Sequence, residues 1–226
     1  MSTPQSTEEI TREIEQRMKH MVATPERAAQ IEVKKALIQS ARRDESIAAL
    51  RAKWGAPKRH AACTPTEAGE WGEAFTKLKS MLEPSTGRLI GIVGARGNGK
   101  TQLAVEAMKF KTELLHSCRF TTAVEFFIRI KATYRADADN DEMGVLEEFQ
   151  KPKLLVIDEI GKRGSSDWEN TMLFELLNRR YNDINDTILI DNRSRQDFTE
   201  SIGPSLASRM SEGGGIMECG WESFRS

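Results

Sequence analysis

The chain has 226 residues, of which 38% are hydrophobic and 30% are charged, and its net charge is −1 at neutral pH. No apolar run approaches the ~20 residues of a membrane-spanning helix, and the polar, acidic N-terminus does not fit a secretory signal. Three scattered cysteines favour a reducing, cytoplasmic location over a disulfide framework, so neither a membrane role nor an extracellular scaffold is expected.

Residues 1–62 are predicted to form a small all-helical domain. Residues 6–9 fit a capping box, and the helix that they start carries apolar residues at helical spacing. Pro25 is predicted to lie in the first turn of a second helix ending near residue 41, and a third helix is predicted after Asp44. The segment is short for an independent core. We therefore expect it to dock on a partner protein, although its apolar stripes could also pack on each other or on the next domain.

Residues 55–65 contain Gly and Pro and lack apolar periodicity, so they are predicted to form a linker. The second domain is predicted to span residues 66–226. Its first helix is expected to be capped by residues 64–67 and to end near Pro84.

A phosphate-binding loop is predicted at residues 94–101, which match G-x-x-x-x-G-K-[ST] directly after a short apolar strand at 89–93. Glycines let backbone N–H groups turn around an anion, and the following helix directs its N-terminus at the phosphates. Lys100 is expected to reach the β and γ phosphates, and Thr101 to ligate Mg²⁺. The predicted nucleotide-binding residues are Gly94, Ala95, Arg96, Gly97, Asn98, Gly99, Lys100, Thr101 and Gln102.

The helix before this loop carries Trp71 and Phe75 at helical spacing. That spacing favours packing in the core, although either ring could instead contact a nucleotide base. After the loop and its helix, residues 119–122 are predicted to form a strand and residues 124–134 a helix, followed by an acidic loop at 137–144.

Three basic residues lie on or just after this helix, namely Arg129, Lys131 and Arg135. They are candidates for a surface that binds single-stranded DNA, and each could equally be a solvated helix charge.

Two further apolar strands are predicted, and each ends in polar residues. Residues 154–157 precede Asp158, which is expected to hold Mg²⁺, and Glu159, which is expected to orient the attacking water. Residues 187–190 precede Asp191 and Asn192.

A final helix beginning near Pro204 carries Arg209, and a last strand is predicted at 216–219.

With these signatures in order, the chain resembles AAA+ ATPases, specifically the DnaC-type replicative helicase loaders and their IstB-type transposition-helper relatives. The resemblance covers about residues 66–226 and rests on residues 94–101, 154–161, 179–181, 188–192, 206–210 and 221–225. It implies an α/β fold with a parallel sheet flanked by helices and without a full helical lid. It also implies that Asn192 is the first sensor and that Arg209 is an arginine finger acting on a neighbouring subunit.

One departure from the family pattern lies beside the sensor, where Asp191 replaces the more usual small hydroxyl residue. A carboxylate at this position could alter the placement of water or Mg²⁺. Arg225, in the last of the matching segments, is a further residue that could approach the nucleotide.

The function implied is ATP-dependent loading of a ring-shaped replicative helicase onto single-stranded DNA. The N-terminal helices would contact the helicase, and the ATPase domains would self-associate with ATP and Mg²⁺ at their junctions. The main alternative is a transposition helper that acts on duplex DNA with a transposase. A small-molecule kinase is disfavoured by the pairing of Asp158 and Glu159 with a late Arg209, and an ATP-gated adaptor differs from the loader only in its rate of hydrolysis.

Overall fold

The computed structural model describes residues 25–66, 68–135, 141–164 and 166–224, and the chain divides into two compact units. The first unit ends at Ser46 and the second begins at Ile47. The boundary therefore lies earlier than the one predicted near residue 62. The helix predicted after residues 6–9 lies outside the described residues.

Helix α1, Pro25–Ala52, is continuous, so the prediction of separate second and third helices is wrong. Asp44 suggested a new N-cap, but no Gly or Pro interrupts the chain between Pro25 and Ala52. The intervening residues are mostly Ala, Arg, Lys, Glu, Gln and Ile, which together favour continuing a helix.

The predicted linker at residues 55–65 is instead part of the second unit. It contains a one-turn helix α2, Lys58–Ala61, and lies against the helix that follows the phosphate loop. Gly55, with φ +71°, ends the preceding helical segment, and the Phe120 N–H donates to the Trp54 carbonyl at 2.6 Å. Gly and Pro here fix the direction of an ordered segment.

A five-stranded parallel sheet forms the centre of the second unit, with the strand order β2-β3-β4-β1-β5. The strands are β1 Leu89–Val93, β2 Cys118–Thr122, β3 Leu154–Asp158, β4 Asp186–Ile190 and β5 Gly215–Glu218. Because every pair is parallel, all five carboxyl ends lie at one edge of the sheet, where ligands bind in open α/β folds.

Helices cover both faces of this sheet, as predicted. They are α3 Gly69–Leu82, α4 Lys100–Glu113, α5 Ala123–Ala132, α6 Glu142–Gln150, α7 Asp167–Asn182, α8 Arg195–Ile202 and α9 Pro204–Gly213, with a short 3₁₀ turn at Ile160–Lys162. In β1, Ile90 and Ile92 face the core containing α3 and α4, whereas Leu89 and Val93 face the core containing α5 and α7. This alternation explains why the strand is apolar throughout.

Two helices begin at residues other than those predicted. Helix α3 starts at Gly69, after a cap residue, Ala68, that makes no side-chain hydrogen bond. Helix α6 replaces part of the predicted loop at 137–144, because Asp141 caps it by accepting the Gly144 N–H at 2.7 Å. Within the described ranges, no helix is both long and apolar enough to cross a membrane.

Candidate nucleotide site

A cavity of about 690 Å³ opens at the carboxyl edge of the sheet, beside the phosphate loop. The loop and three neighbouring segments bring their polar side chains together around it. The lining includes Gly97, Gly99, Lys100, Thr101, Gln102, Asp158, Glu159, Lys162 and Asn192, together with Arg59, His60, Cys63, Pro65, Thr66, Trp71, Arg96 and Phe224. Residues predicted from three separate motifs therefore meet at one cavity.

The phosphate loop holds its lysine inward. Lys100 Nζ donates to the carbonyl oxygens of Gly94 at 2.8 Å and Ala95 at 2.6 Å. Gly99 has φ +74° and caps α4, so a side chain at this position would strain the backbone. A Cβ at Gly94 would lie 2.5 Å from the carbonyl oxygen of Cys219, the residue after β5, so this close approach also requires glycine.

Thr101 and Asp158 face each other in the cavity. Thr101 Oγ1 donates to Asp158 Oδ2 at 2.8 Å, and the Glu159 N–H donates to Asp158 Oδ1 at 2.7 Å. Burial raises the pKa of Asp158, and the hydrogen bond from Thr101 opposes that shift. A hydroxyl and one carboxylate fit the protein share of an Mg²⁺ site, in which phosphate oxygens and water supply the remaining ligands.

Glu159 is the residue predicted to orient water, and its backbone has φ +58°, which non-glycine residues seldom adopt. Its carboxylate forms an ion pair with Lys162 on the following 3₁₀ turn. This conformation turns the chain sharply after β3 and keeps the side chain in the lining of the cavity.

Asn192 also lines the cavity, as expected for a sensor, whereas Asp191 does not. The Asp191 carboxylate is buried and accepts from Arg193 Nε at 2.9 Å and from the Arg193 backbone N–H at 3.1 Å. Arg193 Nη2 also donates to Ser201 Oγ at 2.9 Å. Asp191 therefore shapes the turn after β4.

Two of the predicted loop residues use their side chains to bind other protein groups. Gln102 donates to Glu106 Oε1 at 2.8 Å, and its own Oε1 lies 2.8 Å from His60 Nδ1. The Asn98 side chain turns the other way and donates to the carbonyls of Cys219 and Trp221. A second cavity of about 450 Å³ lies beside Asn98, and its lining includes Gly94, Ala95, Arg96 and residues 218–223.

Residues 57–66, which we call the strap, form a wall of the cavity that was not predicted from the sequence. No spacing rule in the sequence links residues of the strap, such as His60 and Cys63, to the loop. Trp71 has two roles, since it is buried against Phe75 and also lines the cavity, with Nε1 3.5 Å from the Gly99 carbonyl oxygen. Phe224 was also missed, and Arg225 lies outside the described residues.

Arg209 does not line the cavity of its own protomer. Its guanidinium lies over two aromatic rings of α7, 5.6 Å from the Phe174 centroid and 5.1 Å from the Tyr181 centroid. Arg209 Nη1 is buried and has no hydrogen-bond partner within the described ranges. The assignment as an arginine finger for a neighbouring subunit stays a prediction.

The three candidate DNA-binding residues have different surroundings. Arg129 forms an ion pair with Glu148 and lies over the Phe149 ring. Lys131 is more exposed, although it contacts Glu169 at 3.3 Å and lies over the Trp168 ring. Arg135 is exposed at the end of the described stretch after α5.

The family model of the IstB-like ATP-binding proteins matches residues 77–211, which is more than half of the chain. The chain belongs to this family. The IstB-like protein is 27% identical to the replicative helicase loader DnaC of Escherichia coli K12 over 159 residues, covering 68% of the chain and 63% of that relative. It thus spans less than two thirds of the length of this relative.

Solved structures show the same fold at lower identity. The crystal structure of the DnaC helicase loader matches with a TM-score of 0.57 and 21% identity, over 69% of this chain and 91% of that one. The crystal structure of DnaI matches with a TM-score of 0.60 and 15% identity, over 75% and 94% of the two chains. The α/β fold and the family resemblance predicted from the motifs are confirmed.

Proposed function

We propose that this IstB-like protein is an ATP-hydrolysing loader that places a ring-shaped replicative helicase on single-stranded DNA. The observation that supports the ATPase part most strongly is the meeting of Lys100, Thr101, Asp158, Glu159 and Asn192 at one cavity. These residue types serve phosphate binding, Mg²⁺ binding, water orientation and sensing of the γ-phosphate. The family of ATP-binding proteins supports the same chemistry.

Each of these side chains would act at a different part of the nucleotide. Lys100 would leave its two carbonyl partners for phosphate oxygens, and Thr101 and Asp158 would hold Mg²⁺, which neutralises charge on the phosphates. Glu159 would accept a hydrogen bond from the attacking water, and its contact with Lys162 would fix the carboxylate beforehand. Asn192 would donate to the γ-phosphate or to the same water.

Self-association would complete the site, because among the described residues the cavity is lined by Arg59 and Arg96 and not by Arg209. Stacking on Phe174 and Tyr181 would hold the Arg209 guanidinium at the surface of α9 for use by a second protomer. ATP at such a junction would favour assembly, and hydrolysis would release it.

The N-terminal part of α1 supports a docking role. Ile31, Val33, Leu37 and Ile38 are all exposed on this helix. Large apolar side chains on an exposed helix are characteristic of binding surfaces. The similarity to DnaC, a replicative helicase loader, leads us to assign a replicative helicase as the partner. We place this activity in the cytoplasm.

Single-stranded DNA binding is proposed for the basic end of α5. Lys131 and Arg135 are the better candidates, because both are exposed, whereas Arg129 is partly buried and forms an ion pair with Glu148. If both contact phosphates, the slope of log affinity against log salt should fall by about 0.7 for each residue removed.

The docking proposal is tested with the full chain. We expect Leu37→Asp with Ile38→Asp to abolish capture of a replicative helicase while leaving ATP binding unchanged. Ile128→Asp is the control, since Ile128 is equally exposed on the second unit, and it should capture the helicase normally. Capture of a transposase in place of the helicase would favour the IstB-type transposition helper, and a normal result for the double variant would contradict docking through α1.

A further inference from the structure

The segment after β5 is fastened to the phosphate loop through Asn98. Asn98 Nδ2 donates to the Cys219 carbonyl at 2.8 Å and to the Trp221 carbonyl at 2.7 Å, and Trp221 Nε1 donates back to the Asn98 carbonyl at 2.8 Å. The Asn98 side chain is buried, with 3% of its surface exposed. We name residues 219–224 the tail. Three hydrogen bonds therefore fix the tail against the loop that is expected to bind phosphate.

Phe224 is the last described residue of the tail, and it contacts both the phosphate loop and the nucleotide cavity. Its N–H donates to the Gly97 carbonyl at 3.1 Å, and its ring lines the cavity. A Cβ on Gly99 would lie 3.2 Å from the Phe224 ring and 3.0 Å from Trp71 Nε1. Two aromatic side chains thus flank Gly99, immediately before Lys100 and Thr101.

The two rings differ in exposure. Trp71 is buried in the core, whereas Phe224 is 64% exposed even though its backbone N–H is bonded to the loop. An apolar ring that is fixed at the mouth of a cavity but uncovered is suited to an apolar face of a ligand. Lys100 and Thr101, which are expected to bind phosphate and Mg²⁺, come just after Gly99 and line the same cavity, so the rings lie beside the expected phosphate site.

We propose that Phe224 stacks on the base of the bound nucleotide, so that the tail forms part of the nucleotide site. This inference rests on the proposed binding of ATP at the same cavity. Where an aromatic ring stacks on a base, replacing the ring by alanine weakens binding by roughly 5- to 150-fold. Because stacking uses the flat face that all bases share, Phe224 favours a nucleotide over a bare polyphosphate without itself selecting one base.

The test separates the base from the phosphates. Binding of ATP is measured by calorimetry, and inorganic tripolyphosphate is titrated as a competitor of ATP in the same variant. We expect Phe224→Ala to weaken ATP binding by about 10-fold and to leave tripolyphosphate unchanged. Phe224→Tyr, which keeps a ring, should restore the affinity for ATP. Ile128→Ala removes an equally exposed apolar side chain from α5 and should change neither ligand.

A second variant tests how the ring is held. Asn98→Ala removes the side chain that fixes the tail, so it should also weaken ATP binding. If Asn98 acts by positioning Phe224, the double variant Asn98→Ala/Phe224→Ala should be no weaker for ATP than Asn98→Ala alone.

Two results would overturn the proposal. Unchanged ATP binding in Phe224→Ala would mean that the ring does not contact the nucleotide. An equal loss for ATP and tripolyphosphate would mean that Phe224 acts through the loop and not through the base. By contrast, a wild-type protein that bound neither ATP nor tripolyphosphate would contradict the proposed function itself.

Discussion

Replacing Arg180 by methionine should destabilise the protein far more than the same change at its neighbour Arg179. Arg180 is fully buried, and its Nη1 donates to the carbonyls of Phe149, Gln150 and Pro152, each at 2.8 Å. Its Nε donates to Thr187 Oγ1 at 2.8 Å. Burial lowers the pKa of Arg180 to about 9, so the guanidinium is still charged at neutral pH.

The magnitude follows from the acceptors left behind. The Gln150 carbonyl keeps a donor in Asn185, but Arg180 Nη2 also donates to the Asp186 carbonyl, so four acceptors lose their donor. A buried acceptor that loses its partner costs about 1–3 kcal/mol, so the total loss is about 4 kcal/mol or more. A domain of this kind is stable by only ~5–15 kcal/mol in total. Arg179, in contrast, forms a partly exposed i,i+4 ion pair with Glu175, which is worth about 0.3–0.5 kcal/mol.

The assay is denaturant unfolding of both variants under the same conditions, followed by circular dichroism. We expect the free energy of unfolding to fall by about 4 kcal/mol or more for Arg180→Met and by about 0.5 kcal/mol or less for Arg179→Met. If Arg180→Met cannot be purified folded, Arg180→Lys should show an intermediate loss, because lysine keeps the charge but has only three donors. Equal losses at the two positions would refute the reasoning.

Three further changes test the site. At neutral pH, Asp158→Asn should lower ATP hydrolysis about 100-fold or more but raise the free energy of unfolding measured without nucleotide. Burial raises the pKa of Asp158, so its ionised form destabilises the wild-type protein. In denaturation experiments, the gain of the variant over wild type should therefore shrink as the pH falls through that pKa. A larger gain at acid pH would contradict this sign. Glu159→Gln should bind ATP normally and lower kcat by about 10²- to 10⁴-fold in steady-state kinetics, and unchanged kcat would exclude Glu159 as the base. A maleimide should label the exposed Cys63 at least ~100 times faster than Cys118 or Cys219, because burial raises the pKa of the Cys118 thiol to about 12 and that of the Cys219 thiol to about 11. Because Cys63 lines the nucleotide cavity, ATP should slow its labelling. Labelling of Cys63 that mass spectrometry shows to be unchanged by ATP would contradict its place in the cavity wall.

The parts of the site that could be predicted from sequence are those fixed by local chemistry. The loop at 94–101 and the strand leading to Asp158 carry their signals within a few consecutive residues, and the structure brings both to one cavity. The alternating burial of β1 explains why its apolar run could be assigned to a strand. The roles of these residues stay predictions until they are tested by substitution.

The parts that were missed depend on contacts between distant residues. Asn98 and Trp221 are 123 positions apart, and His60 and Gln102 are 42 apart, so no spacing rule connects them. The strap looked like a linker because Gly and Pro are frequent in both. Asp191 was expected to influence the placement of water or Mg²⁺, because the sequence does not show that its carboxylate is bound by Arg193.

Arg180 illustrates the same limit for a motif. Residues 179–181 contributed to the family resemblance, and the sequence could not separate the two arginines. In the structure, one forms a partly exposed ion pair on α7 and the other is fully buried between α7 and the amino ends of the strands. Only tertiary packing distinguishes a surface charge from a structural one.

The central claim is that Arg209 of one protomer completes the ATP site of the next, and mixing two inactive variants tests it most directly. Lys100→Ala should not bind nucleotide but keeps Arg209, whereas Arg209→Ala keeps an intact phosphate loop. Because an arginine finger contributes about 10³- to 10⁵-fold to the rate, each variant alone should be nearly inactive. In an equal mixture, roughly a quarter of the junctions would pair an intact Lys100 with an intact Arg209, and ATP hydrolysis should recover to about that fraction of wild type. A mixture no more active than its components would contradict the account.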